Sequence, residues 1–537
     1  MARKDFILVL TAEQAFIHNF NAKENFAYED SALFSALSNS YIPLLNMLGR
    51  LEHDNIPFKL GIVLSSQLCT LLAHKSTKKK YVAWLDSMIK LGEEEVERNK
   101  GDEAVLRNVK SCLLHMQKNR DDFLETYAGD LLQAFKGFAD RGYLELIPTA
   151  ATCCYMPHYR DLKEVLHAQI DVGLHAHRSF FGETGEGFFI PYLGWTEDLD
   201  SVLRSYGVNY TIVDTRSVLF CKEPPETGIY SPVRTKKSLV IFARDFDTPD
   251  DIRGNTADGQ QDGYMTASVY RCEQRDIGYE LHEKKLKSFL NTNSSRLQTG
   301  YKYYANELTD SEKPVPYDEE AAAAQIQLDA EDFYRKKLEK LEKAEQLLDG
   351  KDNVLTCVIP AQLLGTSWHE GIAWLEAVIR LIAADGKMQL TFCKDHLDKQ
   401  FSLPKITPYP CSAEGSGYGE NLLDSSNSWM TDCVRIASER MIDLTERFPS
   451  ETGIKARILN LGAKEVLLAQ SASWQQMIYE GVLPEYAGRA FSSCIRNFNQ
   501  VFDSLASNTV STEWLCSLEK EDNIFPWLSY KVFSKKR

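Results

Sequence analysis

The chain has 537 residues, with 61 Lys and Arg against 76 Asp and Glu, a formal charge of −15 and a pI near 5.4. An acidic balance of that size excludes a general phosphate-backbone binder, which needs a basic face, so no nucleic-acid partner is expected. Hydrophobic residues at 44% and charged residues at 26% are globular values that exclude wholesale disorder, and the length suits a large barrel with additions.

The first apolar run, FILVL at 6–10, reads as a buried parallel strand, as does KLGIVLS at 59–65. Between 76 and 127 two charged helical patterns meet near Gly101 and Asp102, which predicts a helical hairpin laid on the barrel. The lysine run Lys78, Lys79 and Lys80 inside it reads as a solvated face. LELIPTA at 144–150 is the third strand, and the periodic segment 161–182 predicts a helix closing on Gly182. His175 and His177 in that helix stand two apart, a spacing at which side chains do not face each other, so no metal pair is expected. GFFIPYL at 187–193, YTIVDT at 210–215 and LVIFARD at 239–245 add three strands. The polar stretch near 248–300, with Gly254, Gly259 and Gly263, reads as an inserted subdomain. Asp318 predicts the cap of a long helix ending at Gly350, and NVLTCVIP at 353–360 is the seventh strand. Strand and helix in alternation predict an α/β barrel with a parallel sheet over 1–405. After a Pro-Tyr-Pro linker at 407–410, residues 406–537 read as an all-helical domain with helices over 429–448, 462–479 and 483–505.

The twelve cysteines are scattered from Cys69 to Cys516, with one adjacent pair, Cys153 and Cys154, and no C-x-x-C. That spacing predicts free thiols and offers no zinc or thioredoxin-type motif; neither a metal nor a cofactor is expected. The apolar run near the N-terminus is about five residues long and is followed by Glu13, too short for a signal-peptide core. No stretch approaches the ~20 apolar residues of a membrane span, so no membrane partner and a cytoplasmic location are expected.

Several ordered segments carry a resemblance. They are YIPLL at 41–45, LELIPTAAT at 144–152, the stretch 262–279 with Tyr264, Tyr270 and Arg271, and TGYKYY at 299–304. LLAQSASW at 467–474, EYA at 485–487 and RNFN at 496–499 follow. In these the chain resembles, from end to end, the α-glucan branching enzymes of glycoside hydrolase family 57. The resemblance implies an incomplete (β/α)7 barrel, an inserted helical and loop subdomain, and a C-terminal helical domain. It also implies a retaining mechanism with a glutamate nucleophile in an aromatic-Leu-Pro-Glu-Cys strand end. The family's acid/base is the aspartate of Asp-Ala-Glu-Leu-Phe-Gly-His-Trp-Trp.

At those positions this chain departs from the family. Tyr192 stands at the nucleophile position of FIPYL, and Pro360 at the acid/base position of PAQLLGTSW. Gln362 and Thr366 replace that motif's glutamate and histidine, Thr11-Ala12-Glu13 replaces a His-x-His, Cys153 a histidine and Ser473 an aspartate. A retaining glycosidase needs two carboxyl groups about 5–5.5 Å apart, so the substitutions predict a pseudoenzyme with no catalytic residues of the family kind. Trp195, Asp214, Tyr264, Trp368, Glu370 and Trp474 are the candidate carbohydrate contacts, since flat rings suit sugar faces and carboxylates suit hydroxyls. Trp429 and Trp474 also fit a role as cement between helices and barrel. The reading is a catalytically inactive relative of branching enzyme that keeps a carbohydrate-binding cleft for an α-glucan or oligosaccharide. It would act in glycogen or α-glucan metabolism by binding or regulation. The alternatives are an active glycan-processing enzyme with relocated carboxylates, Glu13 and Glu370, and a protein-interaction scaffold without ligand.

Overall fold

In the computed structural model, which describes residues 2–18, 26–255, 261–290, 298–398, 402–521 and 523–535, the seven apolar runs are seven parallel strands. They are β1 (Lys4–Ala12), β2 (Leu60–Leu64), β3 (Leu144–Leu146), β4 (Gly187–Phe189), β5 (Tyr210–Val213), β6 (Val240–Ala243) and β7 (Asn353–Pro360). Strands β7-β1-β2-β3 form one ladder and β4-β5-β6 another. Single parallel bridges join them, Thr149 to Phe189 on one side and Arg244 to Thr356 on the other. The result is an α/β barrel of seven strands whose longest seam runs from Lys4 beside Asn353 to Thr11 beside Pro360.

Side chains alternate across each strand, and that alternation separates two cores. Ile7, Val9, Val63, Ile147, Phe189, Ile212, Phe242 and Val354 point inward and fill the barrel. Phe6, Leu8 and Leu10 point outward under the helices. The runs read as uniformly apolar because both faces are buried.

Helices α1 (Lys75–Arg98) and α2 (Glu103–Asp121) form a hairpin, with the Asp102 carboxylate accepting from the Val105 N–H at 3.1 Å. Lys80 corrects the solvated-face reading: it is buried and pairs with Asp30 at 3.2 Å. Helix α3 (Lys163–Phe181) ends at Gly182, whose φ of 94° suits glycine, and Gly173 lets it press against the barrel. A Cβ there would lie 2.1 Å from the Thr149 carbonyl oxygen. His177 on α3 is buried beside Phe181, while His175 stacks on Trp527 with centroids 3.7 Å apart. Within 248–300 come α4 (Thr248–Arg253), short 3-10 turns and a helix at Glu283–Leu290. Gly259, read as part of that stretch, lies outside the described residues. Helix α5 (Glu319–Leu347) starts on Asp318, whose carboxylate accepts from two backbone N–H groups, and α6 (Gly371–Asp385) packs beside it.

The C-terminal part is helical: α7 (Ser428–Arg447), α8 (Gly453–Ala469), α9 (Ser473–Glu480), α10 (Pro484–Ser507) and α11 (Thr512–Glu521). The segment read as one helix over 462–479 is two. The chain breaks where the Ala472 N–H bonds the Cys153 carbonyl and Ser471 bridges to Cys154, so contact with the barrel outcompetes one helical turn. Helix α11 had no reading in the sequence. All twelve cysteines are free thiols and ten are buried. No helix among the described residues is long and apolar enough to cross a membrane.

Candidate functional site

Beyond the C-terminal ends of the strands lies a cleft of about 700 Å³, walled by the barrel on one side and by α9 on the other. That is the end where barrel folds of this type place their chemistry. On β1 the inward set Ile7 and Val9 continues to Thr11 and then Glu13, which leave the core and line the cleft. On β7 the set from Val354 continues through Val358 to Pro360, beside Thr11. Past β4 the chain makes a single 3-10 turn at Pro191–Leu193 in which Tyr192 and Leu193 have φ of 58° and 51°. Left-handed backbone costs a non-glycine residue roughly 1–2 kcal/mol. The turn is held by the Ala413 N–H donating to the Tyr192 carbonyl at 2.8 Å. The Tyr192 hydroxyl donates to Gln476 Oε1 at 3.2 Å, which crosses to α9. Ser473, Gln476, Met477 and Glu480 share one face of α9 at spacings of three and four, and all four line the cleft.

Burial pushes the Glu13 carboxyl up to about 7; a contact with the Cys153 thiol works against that, and the Glu414 charge works with it. Its Oε1 has no hydrogen-bond partner. Burial likewise raises the Tyr192 phenol, with Cys153 and Glu13 adding to it, so the phenol stays protonated. Glu414 is raised by burial although Asn421 donates to it at 2.8 Å, and Asp250 is raised by burial and by its neighbours Asp247 and Asp251. The Gln362 amide donates to the Glu13 carbonyl and ties β7 to the end of β1. Among the described residues no group of three or more His, Cys, Asp or Glu side chains is placed to hold a metal ion.

Thr11, Glu13, Tyr192, Pro360, Gln362 and Ser473 come together in the cleft, and Cys153 lies against Glu13 behind them. Thr366 does not; its hydroxyl bonds Ser40 at 2.8 Å. None of the six residues chosen as sugar contacts lines the cleft. Trp368 is 1% exposed and packs on Trp374 and Tyr270, and Trp195 is 3% exposed in the outer core, so neither ring has a free face. Trp474 is buried with its indole N–H on the Leu468 carbonyl, the cementing role, while Trp429 sits edge-on to Phe491. Tyr264 donates to Asp332 at 2.8 Å and packs against Phe333 and Trp374. Asp214 is fully buried, caps the helix Thr215–Leu219 and binds Arg216 and Arg244 at 2.7 and 2.8 Å. Glu370 is buried at the start of α6, where it accepts from the Arg271 N–H at 3.1 Å; it does not converge with Glu13.

Sequence reasoning missed Arg216, Arg244, Phe246, Asp250, Arg253, Glu414, Gln476 and Glu480, all of which line the cleft. Two signals were available. Arg244 falls on the inward phase of β6, and the α9 residues repeat at helical spacing.

Comparison with known proteins then fixes the family. A family model described as glycosyl hydrolase family 57 matches residues 7–402, most of the chain. The chain belongs to glycosyl hydrolase family 57. A second model, the C-terminal region of 1,4-alpha-glucan branching enzyme, matches residues 434–533. A 1,4-alpha-glucan branching enzyme of Thermococcus kodakarensis is 24% identical over 526 residues, covering 92% of this chain and 73% of that protein. The family-57 fold is seen again in the crystal structure of the α-amylase AmyC from Thermotoga maritima, with a TM-score of 0.89, 27% identity and full coverage of both chains. The branching enzyme of Pyrococcus horikoshii superposes with a TM-score of 0.85 at 22% identity, covering 100% of this chain and 97% of that one. These likenesses establish the family-57 α/β fold with its parallel strands and C-terminal helical domain.

Proposed function

We propose that this chain is an α-glucan-binding member of family 57 in which the retaining double displacement is lost, acting in cytoplasmic glycogen or α-glucan metabolism by binding or regulation. One observation carries the reading: Tyr192 and Pro360, the residues read at the nucleophile and acid/base positions, both line the cleft. A retaining mechanism needs a carboxylate to attack the sugar and a carboxylic acid to protonate the leaving oxygen. Tyr192 is a phenol that burial keeps protonated and whose hydroxyl is committed to Gln476; Pro360 has no proton to give. Binding rests on other atoms than bond cleavage. The open cleft offers the Phe246 and Tyr192 rings and the polar groups of Thr11, Glu13, Gln476 and Glu480. The relatives named for amylase and branching activity support α-glucan as the ligand class.

The purified protein is expected to show no branching of amylose above a heat-killed control. It is expected to be retarded in glycogen-containing gels and to bind maltoheptaose with Kd around 0.1–1 mM, roughly −4 to −5.5 kcal/mol. Branching turnover would overturn the first half; no heat from 10 mM maltoheptaose (about ten times the upper Kd) together with no retardation would overturn the second.

A second reading has Glu13 in its favour. A carboxyl near 7 on a residue that lines the cleft, with one buried oxygen lacking a hydrogen-bond partner, is suited to protonating a leaving group. Its partner would be Glu414, not Glu370. Hydrolysis of a chromogenic maltooligosaccharide that disappears in Glu13→Gln would establish this reading over the silent one.

A further inference from the structure

The wall of the cleft at the ends of β5 and β6 carries three arginines, and their bonding is unequal. Asp214 takes Nε of Arg216 at 2.7 Å and Nε and Nη2 of Arg244 at 2.9 and 2.8 Å. One carboxylate against two guanidinium groups leaves a positive charge over. Arg216 is otherwise spent: its Nη1 and Nη2 donate to the Ser416 and Ser412 carbonyls, clamping the loop that brings Glu414 into the cleft. The Nη1 of Arg244 makes no hydrogen bond or ion pair among the described residues. Arg253, the last residue of α4, is exposed and likewise makes none. Both guanidinium groups act on Glu414, yet neither lies within ion-pair distance of it; Glu414 is bonded to Asn421 instead.

Phe246 lines the same cleft, 46% exposed, its ring 5.9 Å from the Arg216 guanidinium. The cleft therefore offers a flat apolar face on Phe246 together with N–H donors that have no partner among the described residues, Nη1 of Arg244 and the guanidinium of Arg253. A guanidinium prefers the paired oxygens of a phosphate or carboxylate, and a sugar face prefers a ring. We propose that the cleft takes a saccharide bearing an anionic group, a phosphate or a carboxylate, with the anion on Arg244 and Arg253 and the sugar ring on Phe246. This rests on the reading of the cleft as a saccharide site and narrows its ligand class. Four carboxyls share the cleft with these arginines, Glu13, Asp250, Glu414 and Glu480, and none of them lies within ion-pair distance of Arg244 or Arg253 among the described residues.

Calorimetry on the full chain at low salt tests it, with maltoheptaose, glucose, glucose 6-phosphate, glucuronic acid and inorganic phosphate as probes. Glucose 6-phosphate or glucuronic acid is expected to bind about tenfold tighter than glucose, and Arg253→Gln to cut that ratio about fivefold. Arg253 is exposed, so the variant folds; a melting curve checks this. Preference for phosphate over glucuronate, or the reverse, identifies which anion the wall reads. Equal affinity for charged and neutral sugars, with maltoheptaose bound, overturns this inference alone. Arg253-dependent binding of glucose 6-phosphate without binding of maltoheptaose overturns the α-glucan reading alone. Inorganic phosphate binding as tightly as glucose 6-phosphate overturns the saccharide part, and silence with every probe overturns both.

Discussion

Tyr192 and Leu193 hold adjacent left-handed backbone at the floor of the cleft, and neither is glycine. Strain of this kind persists only where surrounding contacts over-determine it. Here the Ala413 N–H, the Gln476 amide and the buried Leu193 side chain do so. The turn therefore aims whatever residue occupies position 192 into the cleft. Placing carboxyls back at the two positions tests whether aim alone is enough. Tyr192→Glu with Pro360→Asp is expected to leave branching below a hundredth of the rate of the Thermococcus kodakarensis relative, on the order of the loss seen when parts of a catalytic unit are missing. The reason lies in the neighbours: Glu13 is itself raised toward 7 and would oppose a second carboxylate beside it, while Cys153 and Ser473 offer a thiol and a hydroxyl. An assay of branch points by debranching and chain-length analysis reads the outcome, and a rate near the relative's would refute the argument.

At the scale of elements, the cleft wall depends on a charge network behind it. Lys337 of α5 is fully buried and pairs with Asp245 at 2.6 Å and Asp251 at 2.7 Å. Lys340 reaches Asp245 and Asp247, each at 2.5 Å, and Lys336 reaches Asp251 at 3.2 Å. Burial disfavours the Asp245 charge, but the two lysines outweigh it and hold the carboxyl below its usual range. The network pins α4, which gives the cleft Thr248, Asp250, Ile252 and Arg253. Lys337→Met removes the network's fully buried cation and leaves Asp245 to Lys340 and Asp251 to Lys336, and is expected to cost about 2–3 kcal/mol, read by denaturant unfolding. Gly173→Ala drives a Cβ against a backbone carbonyl that cannot swing away, and about 1–3 kcal/mol is expected there. The same scale explains what the sequence disclosed. All seven strands were legible because both faces of a parallel barrel strand are apolar. The hairpin and α5 were legible from Asp102 and Asp318, whose caps are local. The break at 470–472 was not, because it answers to Cys153 and Cys154 across the fold. Tyr192 and Pro360 were singled out by motif, and both line the cleft. The tryptophans misled because standing near a strand end in sequence says nothing of which way the ring turns: Trp368 turns under α6, away from the cleft. Arg244, Glu414 and Gln476 meet only in three dimensions.

For the molecule as a whole, the net charge of −15 makes the ionisation of buried carboxyls a lever on stability. Glu13 stands at one end of the barrel. Glu145 stands inside the other, near the strand starts, beside the Tyr210 phenol, with one oxygen lacking a hydrogen-bond partner. Burial pushes Glu145 up to about 7, helped by the nearby charges of Asp395 and Glu186 and opposed by Lys394. A carboxyl whose pKa rises on folding binds its proton more tightly in the folded state. Below the unfolded value, near 4.5, the group costs nothing, and the folded form loses stability as pH rises from there to about 7. Above 7 the full penalty applies, on the order of 3 kcal/mol for one such group. Glu145→Gln keeps the shape and an acceptor but has no proton to lose. The variant is therefore expected to melt close to the parent at pH 5 and a few degrees above it at pH 8. Paired melting curves at the two values measure the difference. A gap of equal size at both would mean that packing, not ionisation, governs the site, and a parent more stable than the variant at pH 8 would mean that the Lys394 charge outweighs burial at Glu145.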